Sequence, residues 1–498
     1  MPRAQTRASR AEKNRNYVSG FADDDEDDCG EMIYNGSRSF GDSIAKDVPI
    51  RFYGARDAMV DSSKIYDLIV VGGGVVGLAI LRAATLEGWK CALVEAEPDL
   101  LSHASGSNSG IACTGVDATP GTLERALIRD SISQLRIFCK QHNIPTRACG
   151  SLVCLFPWDE ADNLDLVLEE SHEAGDTHAS RLEAYKVKQL EPNLASSCKG
   201  GVHIPGEVVL DPWLYSIALA AHARENGADI FKSFPFDPEL SSFSSGTWTV
   251  VRKEKEGSRD DFPIKLQARA VANAAGLWAD VVQSKGHGQS RWTAKPRRGQ
   301  YRIYSSSETT RITHPIQPIP TQRTKGIFVF STLYDQIVVG PTALDQESKT
   351  DRSVCPLTAK ELDEHAKRVI PELDTEAAFI SDYVGIRPGT DKRDYQIHLF
   401  PSENWIAVAG IRSTGLTASL GIGDYVVRNL RSLLLETPKT KKEIRTTPLP
   451  SLAELVHDFR DHDGYVNIHG HNYKVTHPLT KFGWKSIEDL APHDFPRL

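Results

Sequence analysis

No segment of this 498-residue chain is long and apolar enough to span a bilayer. The longest uncharged apolar run, Leu68 to Leu81, is fourteen residues and is broken by glycines. No integral membrane segment is expected. Positive charge is not in excess either: the formal net charge is −8, which argues against a general nucleic-acid binder. Eight cysteines stand at 29, 91, 113, 139, 149, 154, 198 and 355. None forms C-x-x-C, so neither a zinc ribbon nor an iron–sulfur module is expected. Scattered thiols without a secretory signal point to a reducing compartment, in the first place the cytoplasm. The opening carries Arg3, Arg7, Arg10, Lys13 and Arg15 before an acidic run from Asp23 to Asp28, which keeps mitochondrial import as the alternative. Large apolar residues are scarce there, so residues 1–60 read as a solvated extension.

What is present is an ordinary globular composition, 40% hydrophobic and 25% charged, with length for two or three domains. The chain is organised around Tyr66 to Glu95. A β-branched apolar run from Tyr66 to Val71 meets Gly72-Gly73-Gly74-Val75-Val76-Gly77, which reads G-x-G-x-x-G. An Ala- and Leu-rich stretch follows to Leu86, and Gly88 ends it. Cys91 to Val94 is a second buried strand, with Glu95 at its end. This is a βαβ dinucleotide fingerprint. Gly72 permits the tight turn, Gly74 lets a pyrophosphate approach the backbone, and Gly77 lets the helix lie close on the sheet. Glu95 is placed to accept hydrogen bonds from a ribose diol. The stretch alone does not separate FAD from NAD.

Further along, Ser102 to Gly110 is a small, polar run able to wrap a phosphate or a ring. Leu123 to Cys139 reads as an amphipathic helix. Gly150 to Phe156 is a strand, and Asp211-Pro212 a helix start that runs to Gly227. Thr247 to Val251 and Leu266 to Ala272 read as antiparallel strands. Between about 296 and 380 short strands and turns dominate, with a hairpin of Gly326 to Ser331 and Ile337 to Val339. Thr358-Ala359-Lys360-Glu361 reads as a capping box. Trp405 to Ala409 is a last buried strand, followed by a glycine loop and a helix near Thr417. His457, His462, His469, His471 and His477 have no metal-site spacing; no metal is assigned, and the tail reads as a surface or docking extension.

Taken in order, several segments resemble the FAD-dependent oxidoreductases of the D-amino-acid oxidase superfamily, and within it the L-2-hydroxyglutarate and FAD-linked glycerol-3-phosphate dehydrogenases. They are Tyr66 to Glu95, Ala104 to Gly110, Val209 to Pro212 and Asn273-Ala274-Ala275-Gly276-Leu277-Trp278-Ala279-Asp280. Gly299-Gln300-Tyr301, Gly340 to Ala343, Gly385-Ile386-Arg387-Pro388 and Gly410 to Ala418 complete the set. The resemblance runs from Lys64 to about Leu433. It implies an α/β (α+β overall) architecture in which a Rossmann-like FAD-binding domain (64–145, 200–295 and 381–435) is interleaved with an antiparallel-sheet substrate domain (146–199 and 296–380). Residues 436–498 would be a C-terminal extension.

The resemblance also implies FAD as cofactor. Gly72, Gly74, Val75, Val76 and Gly77 would hold the pyrophosphate, and Glu95 with Ala96 the adenosine ribose. Ser105, Asn108, Ser109 and Gly110 would lie along the pyrophosphate and flavin, with Ala275 and Gly276 nearby and Phe236 toward adenine. Gly415, Leu416 and Thr417 would aim N–H groups at the pyrimidine end of the ring, where reduction places negative charge. Arg387 resembles a carboxylate-binding arginine, and its planar guanidinium suits carboxylate or phosphate. Arg412 and Tyr301 are further substrate-side candidates, and His203 is the histidine to test first as a base. Relatives often carry His where this chain has Cys113, and no cysteine-rich module follows Cys355.

The implied activity is hydride transfer from a small anionic hydroxy acid or polyol phosphate to flavin, with oxygen, a quinone or a carrier protein as electron acceptor. An amino-acid or amine oxidase of the same fold, a nicotinamide dehydrogenase and a flavin-binding scaffold without turnover are the alternatives.

Overall fold

The computed structural model describes residues 64–159, 162–254, 264–286, 291–320, 326–434 and 443–487, with the side chains of 284–286 excepted. The expected extension over residues 1–60 lies outside them, as do 436–442 and 488–498.

The strand Ile65–Val71 is buried along almost its whole length because both neighbours are strands and both faces are covered. It pairs in parallel with Cys91–Val94 on one side and Lys265–Asn273 on the other. Asp229–Phe231 and Trp405–Ala409 extend the parallel set at its two edges. Gln396–Phe400 and the hairpin Ser242–Ser244/Thr247–Val251 add antiparallel strands, giving eight in all. The helices Val75–Leu86, Leu123–Gln141, Pro212–Glu225 and Gly415–Arg431 pack on one face. Asp211 caps the third of them as its sequence indicates: its carboxylate accepts from Leu214 N at 2.7 Å, and Pro212 holds the first position.

A second sheet of nine strands is antiparallel except where Ile316–Pro318 runs beside Ser151–Leu155. Its longest pair, Ala294–Ser305 with Phe379–Thr390, carries Gly299-Gln300-Tyr301 opposite Val384 and its neighbours. Two stretches expected on the nucleotide side belong here instead: Gly200–Ile204 pairs with Ser151–Leu155, and 381–390 lies within Phe379–Thr390. Local pattern marks a strand but does not name its partner, and only pairing decides which sheet it joins.

Two other expectations are corrected. The helix read from a capping box at Thr358 begins earlier, as Pro356–Val369 with Cys355 at its N-cap; Thr358 is buried within its first turn. A prolyl ring at the first helical position supplies the start that was sought two residues later. The tail is no surface appendage. Ser451 and Glu454 form a reciprocal capping box on Leu452–Asp461, and Leu455, Phe459, Val466, Tyr473 and Trp484 join the core around the parallel sheet. Trp484 is fully buried; its Nε1 donates to Tyr334 Oη at 2.8 Å, and that phenol donates to Asp211.

Candidate active site

One large cavity, about 1500 Å³, opens between the two sheets and is lined by both. Drug-sized ligands occupy roughly 300–1,000 Å³, so this space suits a dinucleotide together with a small molecule. Its floor is the fingerprint. Gly72 adopts φ +109°, and a Cβ there would lie 2.5 Å from Ala274 O. A Cβ on Gly77 would lie 1.9 Å from Gly72 O, so only glycine lets the helix close onto its own turn. Gly77 itself stands behind the wall, while Gly72, Gly73, Gly74, Val75 and Val76 line the cavity.

Two helix N-termini open on this space. Val75–Leu86 has Gly74 at its N-cap, with no side-chain cap and no acid in its first turn. Gly415–Arg431 likewise has no side-chain cap bond from Thr414 and no first-turn acid. Both present a positive dipole end to whatever the cavity holds. Glu95 sits at the far corner, buried, with Oε2 accepting from Gly73 N at 2.5 Å and Oε1 from Glu97 N at 2.8 Å. Burial pushes its carboxyl above the usual range, and the N–H donors of Glu97 and Gly73 pull it back. Ala96, Phe236, Ala275 and Gly276 complete that end of the wall.

The polar run folds as a short 3-10 turn, Ala104–Ser107, against the helix start. Ser105 Oγ accepts from Val75 N at 3.0 Å, and Asn108 closes the turn by donating to Ser105 O at 2.8 Å. Ser105, Asn108 and Ser109 reach the wall; Gly110 does not. Gly110 is spent on backbone packing, with φ +72° and no room for a Cβ beside Leu210 O. At the opposite end Gly415 and Leu416 line the cavity, whereas Thr417 stands one layer back. Its Oγ1 accepts from Cys113 N at 3.1 Å and so fixes Cys113, which does line the cavity.

Of the substrate-side candidates, Arg387 and Tyr301 are brought together. Arg387 donates to Thr342 O at 2.9 Å and Arg298 O at 3.2 Å, and a Cβ on Gly299 would fall 2.7 Å from its guanidinium. Tyr301 is stacked on Tyr383 at 4.4 Å and interacts electrostatically with Arg387. Burial lowers the Arg387 pKa and raises that of Tyr301, and each ring or charge partly offsets the other's shift. Among the described residues no carboxylate pairs with Arg387, and both it and Tyr301 line the cavity.

Arg412 and His203 fare differently. Arg412 also borders the cavity but is tied in an ion pair to Glu124, which accepts from Thr414 Oγ1 at 2.7 Å as well. His203 is off the wall: it packs edge-on to His314 at 5.5 Å, with its Nε2 enclosed by Gly150. Burial lowers its pKa, and as a base for this cavity it is withdrawn. His203 precedes the Pro205-Gly206 turn that leads into a segment on the cavity, but its place on the strand Gly200–Ile204 leaves it off the wall.

Three further features shape the wall. Trp278 packs on His103 at 4.6 Å, and His103 is held by Glu97 at 3.1 Å and by Arg352 at 2.8 Å. Residues 345–347 line the cavity, and Lys349 crosses back to Asp280 at 2.8 Å, so this segment straps one sheet to the other. Glu207, nearly inaccessible at 2% exposure, accepts from Gln317 Nε2 at 2.8 Å; both line the cavity.

A parallel sheet with a glycine cradle, a second, largely antiparallel sheet and one large cavity between them define a two-sheet protein of the dinucleotide-binding class. The chain belongs to the family of FAD dependent oxidoreductases called DAO, whose model matches residues 67–429. It is 29% identical over 400 residues to the glycerol 3-phosphate dehydrogenase of Caloramator mitchellensis, covering 79% of this chain and 80% of that protein. It is 26% identical over 303 residues to the mitochondrial L-2-hydroxyglutarate dehydrogenase of Nematostella vectensis, covering 58% of this chain and 64% of that one. The dithionite-reduced L-alpha-glycerophosphate oxidase of Mycoplasma pneumoniae, solved with FAD bound, superimposes with a TM-score of 0.69 at 25% identity, over 78% of this chain and all of that one. The protein is an FAD-dependent oxidoreductase, and the cavity fits that cofactor: its volume admits a dinucleotide, and two helix starts without side-chain caps open on it. No helix among the described residues is long and apolar enough to cross a membrane.

Proposed function

We propose that the chain oxidises a small anionic hydroxy compound, a polyol phosphate of the glycerol-3-phosphate kind or a 2-hydroxy acid such as 2-hydroxyglutarate. FAD, when bound, supplies the hydride acceptor. The observation that carries the reading is Arg387: a guanidinium facing the cavity whose neutral carbonyl partners leave its charge to be balanced by a ligand. Lys295 and Arg393 also border the cavity, whereas Arg297 and Lys392 there are paired with Asp345 and Asp391. Tyr301 braces the guanidinium from the side, and its stack on Tyr383 fixes that brace. The names of the relatives support a hydroxyl over an amine as the reacting group.

A cytoplasmic site of action is proposed with it, with mitochondrial import as the alternative; no disulfide joins any two of the seven described cysteines. The test is an anaerobic panel of hydroxy acids, polyol phosphates and amines, followed by bleaching of the flavin. Bleaching by amines alone would overturn the reading. In Arg387→Ala, loss of a charged hydrogen bond, about 1.5–3 kcal/mol, should raise KM roughly ten- to a hundredfold while flavin content stays at wild-type level. An unchanged KM across the anionic substrates removes Arg387 from the site.

A further inference from the structure

Oxidation of a hydroxyl releases a proton as well as a hydride, and among the described residues His103 is the one histidine that lines the cavity. His103 is clamped by Glu97, Arg352 and Trp278 beside the nucleotide cradle. His203 and His314 stand behind the wall. Carboxylates remain. Glu124 is already committed to Arg412 and Thr414. Glu207 lines the cavity from another element, with Gln317 as one of its partners.

The short strand Ile111–Ala112 runs antiparallel to Val208–Leu210, with Ile111 opposite Val209 and Ala112 opposite Val208. Continued by one step, that register sets Cys113 opposite Glu207. The next step holds as well, since a Cβ on Gly206 would lie 2.5 Å from Thr114 Cγ2. Directly opposed residues share one face of a ladder with their Cβ atoms roughly 5 Å apart. Cys113 is anchored through its N–H to Thr417, in the first turn of the helix Gly415–Arg431. Glu207 therefore faces the part of the cavity where that helix begins, and Gln317 orients its carboxylate.

Resting on the reading above, we propose that Glu207 is the proton acceptor of the reaction. As the carbinol C–H bond breaks, its electron pair leaves as hydride to FAD. The O–H bond breaks with it, its proton passing to the Glu207 carboxylate while the C=O bond forms. The products are the carbonyl compound, anionic reduced flavin and a neutral Glu207 side chain.

The experiment uses the FAD-loaded full chain with glycerol 3-phosphate and with L-2-hydroxyglutarate. Expected for Glu207→Gln is a fall in the anaerobic flavin-reduction rate of about 10² to 10⁴, the usual weight of a general base. Wild type should lose rate as pH falls and the carboxylate protonates; E207Q should lose that limb, and Glu207→Asp should restore it. Binding is read separately, by titrating the flavin spectrum with propyl phosphate and glutarate, which lack the reacting hydroxyl. Their Kd should weaken no more than about twofold in E207Q, since a carboxylate offers an anion no attraction. A tenfold weakening would mark Glu207 as structural and overturn the assignment.

Gln317→Met keeps the carboxylate but removes the hydrogen bond that Gln317 donates to it. It should move the acid limb to higher pH, because hydrogen bonding to the charged form holds a carboxyl pKa down. A limb unmoved in Q317M, or an E207Q reduced at the wild-type rate, overturns the proposal and leaves the proposed function standing. A wild type that neither substrate bleaches removes both.

Discussion

The cradle at 65–95 and the terminal segment at 443–487 bury side chains in the same core, yet only the first announces it. In the cradle the fingerprint strand, its helix and the strand after it meet within about thirty positions: Val70 lies beside Leu93, and Glu95 accepts from Gly73. In the terminal segment Trp484 reaches back 150 positions to Tyr334, and Thr480 reaches 269 to Asp211. Both contacts converge on the N-cap of Pro212–Glu225. Short-range order is written in periodicity and glycine placement. Long-range order depends on a partner surface that exists only once the rest has folded.

The comparison breaks most sharply at Trp484. It is fully buried, stands edge-on to Trp213 at 5.7 Å, and donates to Tyr334. Trp484→Ala should cost about 3–5 kcal/mol, read from chemical denaturation; a docking tail would give almost nothing. Within the cradle, Gly77→Ala should cost about 1–3 kcal/mol as the helix is pushed off Gly72, with a parallel drop in FAD content at purification. Normal flavin content in that variant would mean the turn has slack that its geometry does not show.

Acid sharpens the contrast further. Where the terminal segment crosses the helices, His142 packs on His222 at 4.6 Å, and His222 contacts Arg445 O at 2.9 Å. Burial first, then the Arg82 charge, holds both imidazoles down to about 4. Their folded pKa lies below the unfolded value of about 6.5, so the unfolded chain binds more protons between those limits. Stability from these two groups is thus complete above about pH 6.5 and is lost as pH falls toward 4. Replacing both by Asn should flatten the fall in Tm over that window; an unchanged slope would place the acid sensitivity elsewhere. Smallest of all, Arg412→Ala should cost about 1 kcal/mol, since its guanidinium is 39% exposed, with KM held at the wild-type value. A tenfold rise in KM would return Arg412 to the substrate site.

Much of the cofactor side was legible. Gly72, Gly74, Glu95 and Ser105 stand on the wall because each is tied to a local turn or strand end that the residues themselves specify. Gly77, Gly110 and Thr417 were legible as important, but they act one layer back, shaping backbone and not the surface. The substrate side was half legible. Arg387 and Tyr301 lie on two strands whose pairing, Arg297 with Arg387 and Tyr301 with Tyr383, brings guanidinium and ring together. Glu207 carried no signal, being a lone acid ahead of an apolar run whose partner, Gln317, is 110 positions away.

By itself the sequence determined a dinucleotide cradle, its flanking strands and the start of the helix at Asp211, since those depend on backbone sterics and neighbours a few residues off. The tertiary structure alone decided which sheet owns Gly200–Ile204 and Phe379–Thr390, that the last described segment is core, and which ionisable groups face the cavity. The direction of a side chain follows from pairing register, and register is settled by contacts between segments far apart in the chain.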